Sequence, residues 1–117
     1  MEKELKFVEG CVFCNIGKGE VQTTFLYNDD EIIAFNDINP KAPIHILVLP
    51  KTHIASVREV GDDEGELMGK MLIVARDLAR ERNLTGYKIL FNVGRDGGQI
   101  VEHLHMHLLG GGGIKML

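Results

Sequence analysis

Near its end the chain reads His103-Leu104-His105-Met106-His107-Leu108-Leu109, with an imidazole at every second position and an apolar side chain between. Successive side chains of a β-strand point to opposite faces, so this alternation puts His103, His105 and His107 on one face and Leu104, Met106 and Leu108 on the other. A helix of about 3.6 residues per turn would rotate each histidine by about 200° from the last and scatter the row. The segment therefore demands a sheet with one face in the core and a row of imidazoles on the other. The strand is read over residues 100–109.

The remaining pattern supplies partners for that strand. Thr23–Tyr27 and Glu31–Phe35 are β-prone around the turn residues Asn28-Asp29-Asp30, and read as a hairpin. Ile44–Leu49 is almost wholly apolar, which suits a strand covered on both faces and ended by Pro50, with His45 its one polar residue. Tyr87–Asn92 is a further strand, followed by a tight glycine-rich turn at 94–98. The best helix runs over 63–82, where Leu67, Met71, Val74 and Leu78 recur at helical spacing behind an Asp63/Glu66 capping pair. A short helix fits 11–18, stopped by Gly17 and Gly19. Residues 1–10 read as a loosely held N-terminal arm and 11–117 as a single domain. The fold class is α+β: a mostly antiparallel sheet of about five strands, one long helix and a short N-terminal helix, with helices on one face.

Composition excludes several functions. The 117 residues carry a net charge of −4 and no basic block, which speaks against a surface that wraps DNA or RNA but leaves a single small nucleotide open. No apolar run approaches the ~20 residues needed to span a bilayer. The opening residues are charged rather than signal-like, and two cysteines are too few for a secreted disulfide framework. A cytoplasmic protein with no membrane or nucleic-acid partner is the expectation.

Three imidazoles on one strand face are costly to bury without work for them. They can hold a metal, as neutral imidazole is a common ligand. Alternatively they do nucleophilic or acid–base chemistry on an anionic group such as a phosphate. Gly94, Gly97 and Gly98 stand just upstream, where glycine lets backbone approach a ligand closely. Asn92 ends a strand and either bonds a substrate oxygen or holds the turn. Asp37 either caps its own turn or grips a sugar hydroxyl. His45 joins the site if its strand neighbours the histidine strand. Cys11 and Cys14 form a Cys-x-x-Cys pair that fits reduced buried thiols, a redox pair, or half of a Cys2His2 zinc site; the last requires one histidine of the row to leave the others.

Assembled in order, these residues resemble the histidine triad (HIT) family, in particular its nucleotide-binding branch. The family motif of three alternating histidines and two apolar residues stands complete at 103–109, followed by Gly110-Gly111. The likeness extends through Phe35-Asn36-Asp37-Ile38-Asn39-Pro40-Lys41-Ala42-Pro43, His45, Pro50-Lys51-Thr52-His53 and Asn92 to Gln99, covering roughly residues 11–111. The resemblance implies a homodimer that hydrolyses purine nucleoside phosphoramidates or adenylates at the α-phosphate through a nucleotidyl-histidine intermediate. It implies His105 as nucleophile, flanked by His107 and His45. It implies phosphate contacts from Asn92 and the Gly98 backbone, ribose contacts from Asp37, and an apolar base pocket of Val12, Phe13, Ile16, Val21, Phe35 and Ile38. It also implies a structural zinc on Cys11, Cys14, His53 and His103, and no organic cofactor. Two other readings remain: a metal-dependent hydrolase with the histidine row as ligands, and a nucleotide-binding scaffold with vestigial activity. Ile100 stands where many members carry a hydroxyl residue, and Gln22 where a proline is common. Neither Ile114 nor the residues after it supply a tryptophan, and in relatives the tail helps choose the substrate.

Overall fold

The computed structural model describes residues 4–114. Its strands are β1 (Tyr27–Asn28), β2 (Ile32–Asn36), β3 (Ile44–Pro50), β4 (Tyr87–Leu90) and β5 (Met106–Gly110). They form one sheet in the order β1-β2-β3-β5-β4, and every neighbouring pair is antiparallel. The apolar run of β3 thus becomes the central strand, buried on both faces, as its composition requires.

Two layers of core cover the sheet. On one side Ile32, Ala34, Ile46, Val48, Met106 and Leu108 pack under the long helix α2 (Gly65–Glu81), which presents Leu67, Met71, Val74, Ala75 and Leu78. Met71 is fully buried in that layer, and its truncation to alanine costs about 2–5 kcal/mol on the scale of such cavities. On the other side Ile33, Phe35, Leu47 and Leu49 pack against Phe13 and Ile16 of the short helix α1 (Val12–Gly17). The two helices therefore lie on opposite faces, which corrects the expectation of helices on one face. Apolar residues at both i and i+1 of β2 and β3 record this two-sided burial.

Other boundaries differ in instructive ways. α2 is entered through a 3-10 turn at Asp62–Glu64, and the reciprocal cap joins Gly61 and Glu64 rather than Asp63 and Glu66. The Gly61 N–H donates to Glu64 Oε1 at 2.8 Å, and the Glu64 N–H donates to Gly61 O at 3.0 Å. Of the β-prone stretch 23–27 only Tyr27 enters a strand. Of the arm expected over 1–10, residues 1–3 lie outside the described residues; Lys6 is tied to the 52–53 segment, since His53 N–H donates to Lys6 O at 2.6 Å and Lys6 N–H to Thr52 Oγ1 at 2.9 Å. Most consequentially, β5 begins at Met106, not Ile100, so His103 and His105 precede the ladder. Their alternation survives nonetheless, with Leu104 and Met106 in the α2 layer and the imidazoles on the α1 side.

Candidate active site and thiol–imidazole pocket

The β3–β5 register brings His45 into the histidine row. Leu47 lies opposite His107 and His45 opposite Leu109, so His45 and His107 are diagonal neighbours on one face. The His45 and His107 rings lie 5.2 Å apart by centroid, and those of His105 and His107 4.9 Å apart. Phe13 closes the row from α1, with its ring edge-on to His105 at 5.1 Å and to His103 at 5.8 Å. Burial leaves His105 only 9% exposed and His45 5%.

Backbone groups fix the tautomers of these rings. His105 Nδ1–H donates to the His103 carbonyl at 2.6 Å, which leaves Nε2 as a lone pair. The Lys41 N–H donates to His45 Nδ1 at 2.9 Å, so neutral His45 carries its proton on Nε2. That proton faces His107 Nδ1 at 2.9 Å and the Asp37 carboxylate at 3.4 Å. Neutral His107 then carries its own proton on Nε2, 3.5 Å from Asn92 Nδ2; both atoms are donors, so this proton is left for a bound ligand. The result is a directed relay from Lys41 through His45 to His107. Desolvation by burial lowers the pKa of His45 and His105, and brings His107 down to about 4, which keeps the relay neutral near pH 7.

Asn92 abuts the glycine turn. Gly98 has φ +88°, and a Cβ there would sit 4.0 Å from the Asn92 amide. The Gly98 N–H is engaged within the turn, donating to Arg95 O at 3.0 Å. What Gly98 offers the site is a bare Cα in a left-handed conformation that L-residues resist, costing them about 1–2 kcal/mol. Asp37 accepts the Asn39 N–H at 2.8 Å through its other oxygen, so it both caps its turn and faces the relay. Among the apolar residues expected around a base, Phe13, Ile16 and Phe35 are buried together, whereas Val12, Val21 and Ile38 are exposed, Ile38 at 90%.

At the other end of the row, Cys11, Cys14, His53 and His103 bring their donor atoms within 4.8 Å of one another. His103 Nδ1 lies 3.4 Å from Cys11 Sγ and 3.6 Å from Cys14 Sγ, and His53 Nδ1 lies 3.4 Å from Cys14 Sγ. Zinc bonds of about 2.3 Å to sulfur and 2.0–2.1 Å to nitrogen, at tetrahedral angles, put S and N about 3.6 Å apart. The donor set therefore fits such an ion in size as well as chemistry. His103 Nε2–H donates to Pro50 O at 2.8 Å, which turns the Nδ1 lone pair toward the sulfurs as an outer partner of a metal-bound histidine does. The Val8 N–H also points at Cys14 Sγ, at 3.4 Å.

A second trio, Asp37, His45 and His107, also has converging donor atoms. It suits a cation poorly. Metal binding at His45 Nε2 needs the ring proton on Nδ1, where the Lys41 N–H already donates. The roles of Lys41 and Pro50 left no trace in the sequence, because both act through the backbone.

The fold and the histidine row define a class. The chain matches, over residues 10–114, the family described as scavenger mRNA decapping enzyme C-term binding. It is 40% identical over 104 residues to Protein HitA of Neisseria gonorrhoeae, covering 88% of this chain and 97% of HitA. It is 40% identical over 105 residues to the purine nucleoside phosphoramidase of Escherichia coli K12, covering 88% of each chain. The crystal structure of a HIT family hydrolase from Legionella pneumophila superposes with a TM-score of 0.85 at 46% identity, over 92% of this chain and 96% of that one. The chain belongs to the histidine triad family. Within that family it is a homologue of a purine nucleoside phosphoramidase and of a HIT hydrolase.

Proposed function

We propose that this protein is a nucleoside phosphoramidase, hydrolysing purine nucleoside phosphoramidates or adenylates at the α-phosphate through a nucleotidyl-histidine intermediate. The observation that carries the reading is the 2.6 Å bond from His105 Nδ1–H to the His103 carbonyl, which aims the Nε2 lone pair away from the backbone. That nitrogen attacks phosphorus, an N–P bond forms, and the P–N bond to the leaving amine breaks. The amine needs a proton; the bound phosphate's negative charge favours the imidazolium form of His107, which gives its Nε2 proton to the leaving amine and returns to the neutral ring. Water then attacks phosphorus, returns a proton to His107 and frees His105. Splitting one displacement into two is the advantage of such an intermediate.

Asn92 and the bare Gly98 Cα would receive the phosphate, Asp37 the ribose hydroxyls, and the apolar surface from Val12, Phe13, Ile16, Val21, Phe35 and Ile38 the base. Zinc on Cys11, Cys14, His53 and His103 would be a closed structural ion that pins the N-terminal segment to the sheet. A homodimer is supported by the place of β4 at the end of the strand order among the described residues and by Leu72 and Ile73 of α2, both about half exposed. The free thiols of Cys11 and Cys14 favour a cytoplasmic setting. Among the described residues no helix is long and apolar enough to cross a membrane.

The test is rapid-quench labelling with adenosine 5′-phosphoramidate carrying a labelled phosphate. Acid-labile label is expected on wild-type protein and absent from His105→Ala. Turnover that proceeds equally in both would end the nucleophile assignment; binding without turnover in either would leave a nucleotide scaffold. Turnover that disappears with a chelator from still-folded protein and returns with metal would favour the metal-dependent alternative.

A further inference from the structure

Between Gly94 and Met106 the chain carries the glycine turn and His105, yet this stretch belongs to no strand. A sheet ladder does not hold it, so something else must fix the turn relative to the nucleophile. One side chain makes the needed bonds. Gln99 Oε1 accepts the Gly94 N–H at 2.9 Å, while Gln99 Nε2 donates to Ala55 O at 2.7 Å and to Val101 O at 2.9 Å. Its own N–H donates to Gly94 O at 3.0 Å, closing the turn from both sides. The next residue upstream of Ala55 completes the suspension: Ile54 O accepts the Leu104 N–H at 2.6 Å. The run from 99 to 104 is thus hung from one two-residue segment at each of its ends.

We propose that Gln99 is a positioning residue for the reaction, locking the turn Gly94–Gly98 against the histidine row through Ala55 and Val101. The inference rests on the phosphoramidase reading above. Only a glutamine suits the place: the site offers one N–H and two carbonyl oxygens, and the amide answers with one acceptor and two donors. A glutamate would set a carboxylate oxygen against two carbonyls, and methionine fills the space without bonding. Loosening the turn moves Gly98 relative to Asn92, which it abuts, and so relative to His107. Displacements of about 1 Å at a reacting group cost rates of up to about 100-fold.

The experiment compares Gln99→Met and Gln99→Glu with wild type on adenosine 5′-phosphoramidate, with amide hydrogen exchange alongside. Expected are kcat values about 10- to 100-fold lower, KM within about threefold, and near-wild-type melting. Exchange at the Gly94 amide should quicken at least about tenfold while the amides of β3 keep their protection. A kcat within about twofold of wild type in either folded variant overturns the proposal. So does an unprotected Gly94 amide in wild-type protein, a measurement that holds even when both variants fail to fold. Loss of melting temperature with unchanged turnover per folded molecule would make Gln99 merely structural. These outcomes are separable from the parent reading, which stands or falls on labelling of His105.

Discussion

At the thiol end of the histidine row, the Nδ1 atoms of His53 and His103 turn inward onto two sulfurs. At the relay end, Lys41, His45 and His107 pass donor to acceptor in line, and His105 aims a lone pair outward. The side chains are the same; what differs is the outside group that fixes each proton. Pro50 O, the His103 carbonyl and the Lys41 N–H set three tautomers, and with them an inward or an outward lone pair. Chemistry at each end is chosen by the backbone around the ring more than by the ring.

The contrast can be broken most sharply at His105. His105→Ala should lower turnover of adenosine 5′-phosphoramidate on the order of 10⁴-fold or more, the scale of losing a nucleophile, with melting little changed. Activity within about tenfold would mean the outward lone pair does no covalent work. Cys14→Ser should act the opposite way. By the four-donor argument about one zinc per chain is expected in wild type and none in the variant, by elemental analysis. Melting should fall by roughly 10 °C, at several degrees per kcal/mol, while turnover per folded molecule stays within about threefold. Zinc retained in Cys14→Ser would break the assignment of the inward end.

A third measurement uses pH. Burial takes His107 from its ordinary value of 6.5 to about 4 in the folded protein. Between those values the unfolded chain binds a proton that the folded one does not. His107 therefore destabilises the fold as pH drops from about 6.5 to about 4, with no effect above that window and no further loss below it. In urea titrations at pH 7 and pH 4.5, His107→Gln should lose less stability than wild type on acidification. Equal losses would refute a neutral, desolvated relay. The smallest effect concerns Lys41. Its contribution is a backbone N–H, so Lys41→Ala should keep kcat within about twofold, whereas Lys41→Pro should lower it about fivefold, the worth of one hydrogen bond near 1 kcal/mol. A larger loss in the alanine variant would show that the side chain, not the backbone, serves the relay.

Much of this was legible in the residues. The long helix follows from Leu67, Met71, Val74 and Leu78, because helical periodicity is a local signal that packing only confirms. The central strand follows from the unbroken apolar run at 44–49, and the family from its spaced motifs. The start of β5 was not legible. Residues 100–105 keep strand-like alternation, but His103 and Leu104 bond to Pro50 and Ile54 rather than to a ladder, and pairing across such distances leaves no mark in the local pattern. The opposite placement of the two helices had a local signal in the unbroken apolar runs of β2 and β3, which need cover on both faces. In the site, residue types could be read but proton positions could not, since the groups that fix them are carbonyls and amides common to every residue.

His103 lends its ring to one pocket and its carbonyl to the other. Only the ring can be altered by substitution; the carbonyl is present whatever residue stands there. The two pockets are therefore separable by descent though they meet in a single residue. A lineage can shed its cysteines, and even this histidine, and still orient the neighbouring imidazole. It would lose a fastening and keep a reaction.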